Sequence, residues 1–238
     1  MPPRCTQCRV REAEGAPAAP FCGRCRSRMQ PLAEPFCPSC AVPYPGAGPS
    51  HPCPRCRADP PAFFELRAWG PYQGALLEAV RRWKFGRDPC MRAAVEALAR
   101  EALVRFWSGV TFGAVVPVPC HPSTLRRRGA GLPALLARAV AREAGAPWRP
   151  TALEKARAVP ELVGLDAQGR AAAVKGAYRP REPLDGTVLL VDDVATSTAT
   201  ARACAEACRE AGALRVCVLA LARTPLHGPS RAAAEEVF

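Results

Sequence analysis

Long apolar runs are missing from this 238-residue chain, and nothing in it approaches the roughly eighteen consecutive residues that a membrane helix needs. The N-terminal MPPRCTQC lacks the apolar core of a secretory signal, which predicts a cytoplasmic protein with no membrane span. The same lack argues against a disulfide framework for the thirteen cysteines. Lysine is scarce too: only Lys84, Lys155 and Lys175 occur, so the basic character rests on arginine. That bias has two readings, a genome that favours arginine or a surface suited to phosphates, including those of nucleic acid.

What is present is a real core and an uneven charge. Hydrophobic residues make up 49% of the chain, enough to bury a core, and the formal net charge is +12. Residues 1–60 carry eight basic and four acidic side chains, 61–150 carry fourteen and six, and 151–238 carry eleven of each, so the excess belongs to the first 150 residues.

Eight cysteines fall in the first sixty residues as four Cys-x-x-Cys pairs: Cys5 and Cys8, Cys22 and Cys25, Cys37 and Cys40, Cys53 and Cys56. A two-residue gap lets both thiolates of one tight turn meet one tetrahedral Zn²⁺, so four pairs complete two sites. Between them lie Pro, Gly and Arg with few bulky apolar residues, so the metal would supply the folding energy. An iron–sulfur cluster is the competing use of such thiolates. Sequential pairing, four cysteines per ion, is the simpler arrangement, with cross-bracing as the other. His51, close to Cys53, is read as a surface-loop residue. This places a zinc-binding module at 1–60 and the main domain at 61–238.

The most informative stretch of the main domain is TVLLVDDVATSTAT, Thr187 to Thr200. Val188 to Val191 are apolar enough for a strand buried on both faces, as in the middle of a parallel sheet. Asp192 and Asp193 follow where the strand should emerge. Ala195 to Thr200 is a small, hydroxyl-rich loop entering a helix. Carboxylates can hold sugar hydroxyls, while loop amides and a helix N-terminus can hold a phosphate. Adjacent strand residues point oppositely, so the two acids cannot share one task unless the backbone turns.

The rest of the chain frames that stretch. Asp59, Pro60 and Pro61 break any helix, and Phe63, Phe64, Leu66 and Trp69 suggest a strand or apolar clasp. Helices are predicted over Tyr72–Phe85, with Leu76, Leu77, Val80 and Trp83 on one stripe, and over Cys90–Trp107. Gly113–Val118 is a strand that Pro117 and Pro119 keep short. A basic turn, Arg126 to Gly129, precedes a helix over Leu132–Ala144; guanidinium groups there suit a pyrophosphate. Proline-punctuated residues 145–186 read as a hood with a short helix at Leu165–Val174. Ala199–Gly212 is helical, with Cys204 and Cys208 on the core face, Arg202, Glu206, Arg209 and Glu210 outward, and Gly212 closing it. Arg215–Leu221 is a further buried strand. Cys90 and Cys120 are read as apolar fillers.

Together these motifs resemble two known patterns. VLLVDDVATSTAT, a helix, AGA and a strand ending in LART are similar to the phosphoribosyl diphosphate (PRPP) signature of type I phosphoribosyltransferases. The Cys-x-x-Cys pairs, YQGALLEAVRRWKFGRD, VVPVPCHPSTLRRRG and ELVGLDAQGRAAAVKGAY resemble the ComF family of competence-associated, zinc-binding phosphoribosyltransferase-like proteins. The resemblance implies an α/β fold, a type I phosphoribosyltransferase-like parallel sheet flanked by helices, behind an N-terminal four-cysteine zinc-ribbon module. It implies natural transformation as the setting, with single-stranded DNA and other competence proteins as partners. By position, Asp192 and Asp193 would meet the ribose hydroxyls of PRPP or its Mg²⁺. Ala195, Thr196, Ser197, Thr198, Ala199 and Thr200 would hold the 5-phosphate, and Arg128 and Gly129 would lie near the pyrophosphate.

Departures from the family pattern qualify its chemistry. Thr198 stands where the family loop has glycine, and a β-branched side chain resists positive φ. Gly129, Ala130, Gly131 and Leu132 lack the family's aromatic and amide groups, and Val159, Leu162 and Ala173 replace polar residues. These changes predict a PRPP-binding protein of DNA uptake with degenerate catalysis. The alternative is an active phosphoribosyltransferase that uses an unidentified base or amine acceptor.

Overall fold

The computed structural model describes residues 4–10, 20–86, 89–120, 131–157 and 167–225. Its centre is a four-stranded sheet in which every neighbouring pair is parallel. The strands are β1 (Glu65–Pro71), β2 (Ala114–Pro117), β5 (Thr187–Ala195) and β6 (Arg215–Arg223), in the order β1-β6-β5-β2. A second sheet pairs β3 (Leu153–Lys155) with β4 (Tyr178–Pro180) in antiparallel fashion. With α6 (Ala167–Val174) it forms the hood expected between 145 and 186.

The sheet is apolar on both faces because both are covered, and that is why Val188–Val191 read as a continuous hydrophobic run. Alternation along β5 sends Leu189 and Val191 into a cluster with α3 (Gly74–Gly86), α4 (Pro89–Trp107) and α5 (Leu132–Ala144). Val188 and Leu190 face the other way, towards α7 (Ala199–Glu210) and the hood. Each half-stripe is then sealed: Leu76, Val80 and Trp83 of α3 and Val95, Leu98 and Ala102 of α4 are all buried. The observed elements match the expected parallel, helix-flanked sheet behind a cysteine-rich N-terminal part.

Three side chains differ from expectation. Cys90 is exposed near the start of α4 and Cys120 is half-buried, so neither fills the core, unlike Cys204, Cys208 and Cys217. Arg202 is buried rather than outward, for a reason that lies in the site.

The N-terminal part includes two one-turn helices, α1 (Gly23–Ser27) and α2 (Pro54–Ala58), and its apolar residues merge with those of the sheet. Leu32 N–H donates to the Trp69 carbonyl at 2.7 Å, and Leu66 N–H donates to the Ser39 carbonyl at 2.8 Å. Gly70 permits this close approach, since a Cβ there would stand 2.4 Å from the Gln30 carbonyl oxygen. At the far end of the sheet, Gly212 follows α7 at φ 106°, and its missing side chain leaves room for the Leu184 carbonyl. Among the described residues, no helix is long and apolar enough to cross a membrane.

Candidate functional site

The eight paired cysteines gather in chain order. Cys5, Cys8, Cys22 and Cys25 form one group, and Cys37, Cys40, Cys53 and Cys56 form a second, with the sulfur atoms of each group within 4.8 Å of one another. No disulfide joins them. Seven of the eight are buried, and Cys8 is half-buried. Four thiols this close, held at one-turn helices and tight turns, suit one tetrahedral Zn²⁺ apiece, and the sequential pairing excludes cross-bracing. His51 is exposed and stacks on Tyr44 with ring centroids 4.4 Å apart, outside either group.

The acid pair lies within β5 rather than beyond it, because the ladder to β6 continues as Asp192↔Ala220, Val194↔Ala222 and Ala195↔Arg223. Strand alternation therefore separates the two carboxylates, as the sequence predicted. Asp193 follows Leu189 and Val191 to the α3 side, where Lys84 Nζ stands 2.9 Å from its Oδ2. Burial works against the Lys84 ammonium, but Asp193 outweighs it and holds the lysine above its usual range. Asp192 belongs to the hood side. Its Oδ1 accepts the Asp193 N–H at 2.8 Å, while Asp193 Oδ1 accepts the Val194 N–H at 2.6 Å. Burial and the Asp193 charge push the Asp192 carboxyl up to about 7, against the pull of that N–H, Lys84 and Lys155. On the hood, Lys155 is held below its usual range by burial, with its Nζ 5.6 Å from the centre of the Tyr178 ring.

The loop after β5 keeps the left-handed turn that glycine would favour. Thr198 has φ 61° and ψ 2°, is buried, and precedes α7 without capping it through its side chain. Such a conformation costs a β-branched residue about 1–3 kcal/mol unless its surroundings hold it. They do so through the carbonyls. The Ala195 carbonyl accepts from Thr224 N–H at 3.0 Å and from Arg223 Nη1 at 3.0 Å. The Thr196 carbonyl accepts from Arg223, the Ser197 carbonyl from Arg55, and the Thr198 carbonyl from Arg202 N–H at 2.9 Å.

With four consecutive carbonyls engaged, the N–H groups of Thr196, Ser197 and Thr198 donate to no main-chain acceptor among the described residues. Ala199 N–H lies 3.5 Å from Ser197 Oγ, a long contact. Free amides at the start of a twelve-residue helix, beside two carboxylates, form a place where a phosphorylated sugar can be held at both ends. Thr196 is exposed, Ser197 and Thr200 are half-buried, and Thr198 and Ala199 are buried, so the last two offer only main chain.

A cavity of about 520 Å³ lies between the end of β2, the start of α5 and the hood, lined by Pro119, Cys120, Gly131, Glu154, Lys155 and Arg181 among others. It adjoins the Lys155 side of the site, and neither acid of the pair lines it. Arg128 and Gly129 lie outside the described residues, as do His121, Val159 and Leu162.

Sequence reasoning missed Lys84, Arg55, Arg202 and Arg223 as members of this site. Lys84 had a signal, being one of three lysines. The arginines had none, because in an arginine-rich chain a buried guanidinium reads like a solvated one.

Comparison with known proteins bears on the cysteine-rich module and on the family of the whole chain. Residues 1–57 match the double zinc ribbon domain family. The DNA utilization protein YhgH of Salmonella typhimurium is 32% identical over 193 residues, covering 79% of this chain and 84% of its own. The Escherichia coli K12 protein of that name is 30% identical over 229 residues, 94% of this chain and 98% of its own. A solved structure of the allosteric regulatory enzyme of purine biosynthesis aligns with 55% of this chain and 26% of its own, at 24% identity. The TM-score of that alignment is 0.36.

Proposed function

The chain belongs to the ComF-like family of the DNA utilization protein YhgH, and from that premise we propose that it serves DNA uptake by binding PRPP or a related sugar phosphate. The single observation that carries the reading is the loop with its four carbonyls engaged by Arg55, Arg202, Arg223 and Thr224 and its amides left at the end of β5, next to Asp192 and Asp193. The amides and the α7 N-terminus take the 5-phosphate. The two carboxylates leave β5 by different faces and so divide the work, one meeting the ribose hydroxyls and the other a divalent Mg²⁺, to which an ionised aspartate is a suitable oxygen ligand. Lys84 orients Asp193 and reduces the repulsion between the two acids.

The two four-cysteine groups hold Zn²⁺ as a structural ion. The protein works in the cytoplasm as a binding module whose partner is single-stranded DNA, met through the basic first 150 residues.

Titration calorimetry with PRPP and Mg²⁺ tests the ligand: saturable heat at one site per chain is expected, and its absence refutes the reading. Fluorescence titration with a single-stranded oligonucleotide tests the partner. Affinity should fall steeply as salt rises, and a salt-independent or undetectable signal counts against DNA contact.

The retained acid pair also favours a catalytic reading. In it the anomeric carbon–pyrophosphate bond breaks, a bond to a base or amine forms, and the carboxylates stabilise the positive charge that develops on the sugar. Pyrophosphate release across a panel of bases and amines distinguishes it from pure binding.

A further inference from the structure

We propose that Arg55 and Arg223 are positioning residues of the phosphate loop, and that through them the second four-cysteine site governs how tightly the loop binds its ligand. The proposal rests on the reading of residues 195–200 as a phosphate site.

Arg223 ends β6 beside Ala195 and is only 5% exposed. A guanidinium buried that deeply needs its donors satisfied and its charge balanced. Its donors go to main-chain carbonyls. Nε donates to Cys40 at 2.8 Å, and Nη1 reaches Ala195 and Thr224, each at 3.0 Å, as well as Thr196. Its charge is met by sulfur: Nη2 lies 3.8 Å from Cys40 Sγ.

Arg202 repeats the arrangement from α7. Its Nη2 lies 3.9 Å from Cys56 Sγ, and its other bonds go to the Asp59 carboxylate at 2.9 Å and the Asp59 carbonyl at 2.7 Å. Four thiolates on one Zn²⁺ leave a net charge of roughly −2, which two guanidiniums balance. Without the metal the buried Arg223 would lose the charge it faces, whereas Arg202 would keep the Asp59 carboxylate.

Arg55 completes the link by another route. It occupies the gap of the Cys53-x-x-Cys56 pair on α2, so the turn that presents two ligands to the metal also fixes the stem of the side chain that holds the Ser197 carbonyl. Arg55 and Arg223 thus grip two successive carbonyls, those of Ser197 and Thr196, from the outer side of the loop. That grip opposes the tendency of Thr198 to leave φ 61°. Released, the loop can turn its carbonyls inward, and an anion would then meet oxygen instead of N–H.

The test uses the full-length, zinc-loaded protein and three variants: Arg55→Ala, Arg55→Lys and Arg57→Ala. Arg57 is exposed on the same helix, α2, and serves as the control. Zinc content, hydrogen exchange of peptides spanning 195–200, and calorimetric affinity for PRPP with Mg²⁺ are measured on each. Arg55→Ala should keep its zinc, exchange its loop amides roughly tenfold faster, and bind PRPP about tenfold more weakly, with partial rescue in Arg55→Lys. Arg57→Ala should match wild type.

Unchanged loop exchange and affinity in Arg55→Ala, an equal loss in Arg57→Ala, or loss of zinc together with affinity would each overturn the proposal. Wild-type protein that gives no heat with PRPP would instead refute the ligand reading itself. Loop exchange that still quickened in Arg55→Ala would then locate the error in the ligand and not in the positioning.

Discussion

The two zinc ribbons use the same ligands and the same spacing, yet they attach to the protein in different ways. The first, around Cys5 and Cys22, shares an apolar cluster with α3 and α4 through Phe21 and Met29, and its polar links to those helices are side chains near the surface. Gln7 Nε2 donates to Glu78 at 3.0 Å, Arg82 Nη1 donates to the Gln7 carbonyl at 2.6 Å, and Arg26 pairs with Glu101 at 2.5 Å while its guanidinium covers the Trp69 ring. The second, around Cys37 and Cys53, reaches the carboxyl end of the sheet, where Arg202 and Arg223 are buried and Arg223 runs directly into the loop proposed to bind phosphate. Exposed ion pairs of the first kind contribute little individually, whereas a buried guanidinium that loses its partner costs several kcal/mol. One ribbon therefore staples helices, and the other forms part of a site.

The sharpest way to break this comparison is to remove one ligand from each ribbon. Cys40→Ser and Cys8→Ser should each lose about half of the bound zinc in a metal analysis. Each should lose cooperative thermal unfolding, since structural zinc contributes on the order of 10 kcal/mol to a small ribbon, and only Cys40→Ser should also lose PRPP binding. Retained PRPP affinity in Cys40→Ser, or equal losses of affinity in both variants, would remove the distinction.

The next effect concerns the acids. Asp193→Asn should lower PRPP–Mg²⁺ affinity by about a hundredfold in calorimetry, because it deletes a charge that Lys84 has been set to balance. Zinc content should stay at the wild-type value.

A smaller effect comes from Asp192. Its folded value of about 7 lies above the roughly 4 of an unfolded aspartate, so folding takes up a proton between those limits. Stability from the neutral acid is fully present below about pH 4 and is lost as pH rises through about 7. Asp192→Asn should therefore raise the thermal midpoint more at about pH 8 than at about pH 5, a gain of about 1–2 kcal/mol once its partial exposure is allowed for. Affinity for PRPP–Mg²⁺ should run the other way in the wild type, improving about tenfold from about pH 6 to about pH 8 as the carboxylate ionises.

The smallest change sharpens the comparison instead of breaking it. Thr198→Gly relieves the left-handed turn and should stabilise the protein by about 1 kcal/mol in denaturant unfolding. Combined with Arg55→Ala, it should restore part of the lost ligand affinity, because a loop that favours its own conformation depends less on the ribbon that holds it.

Much of this was legible in the chain itself. Thr187–Ala195 and Leu132–Ala144 declare themselves through hydrophobic period and end signals, and the Cys-x-x-Cys spacing states its chemistry locally. The expected strand ended at Val191 because two aspartates look like a loop. The structure carries β5 on to Ala195, since parallel pairing with β6 satisfies the backbone and alternation lets each carboxylate leave by a different face.

What the sequence could not show is long-range. Arg55 and Ser197 are 142 positions apart, and Arg223 and Cys40 are 183 apart. No local pattern tells a guanidinium that will be buried from one that will meet water. Arg202, placed by helical period on the outward face of α7, is buried because the second ribbon covers that face, a tertiary fact with no trace in the helix's own residues.

The central claim, that the loop with its engaged carbonyls and the acid pair of β5 make a sugar-phosphate site, is tested most directly by calorimetric titration of the zinc-loaded protein with PRPP and Mg²⁺. The account predicts saturable binding at one site per chain that Asp193→Asn weakens about a hundredfold. Absence of heat from the wild type, or the same isotherm from Asp193→Asn, would contradict it.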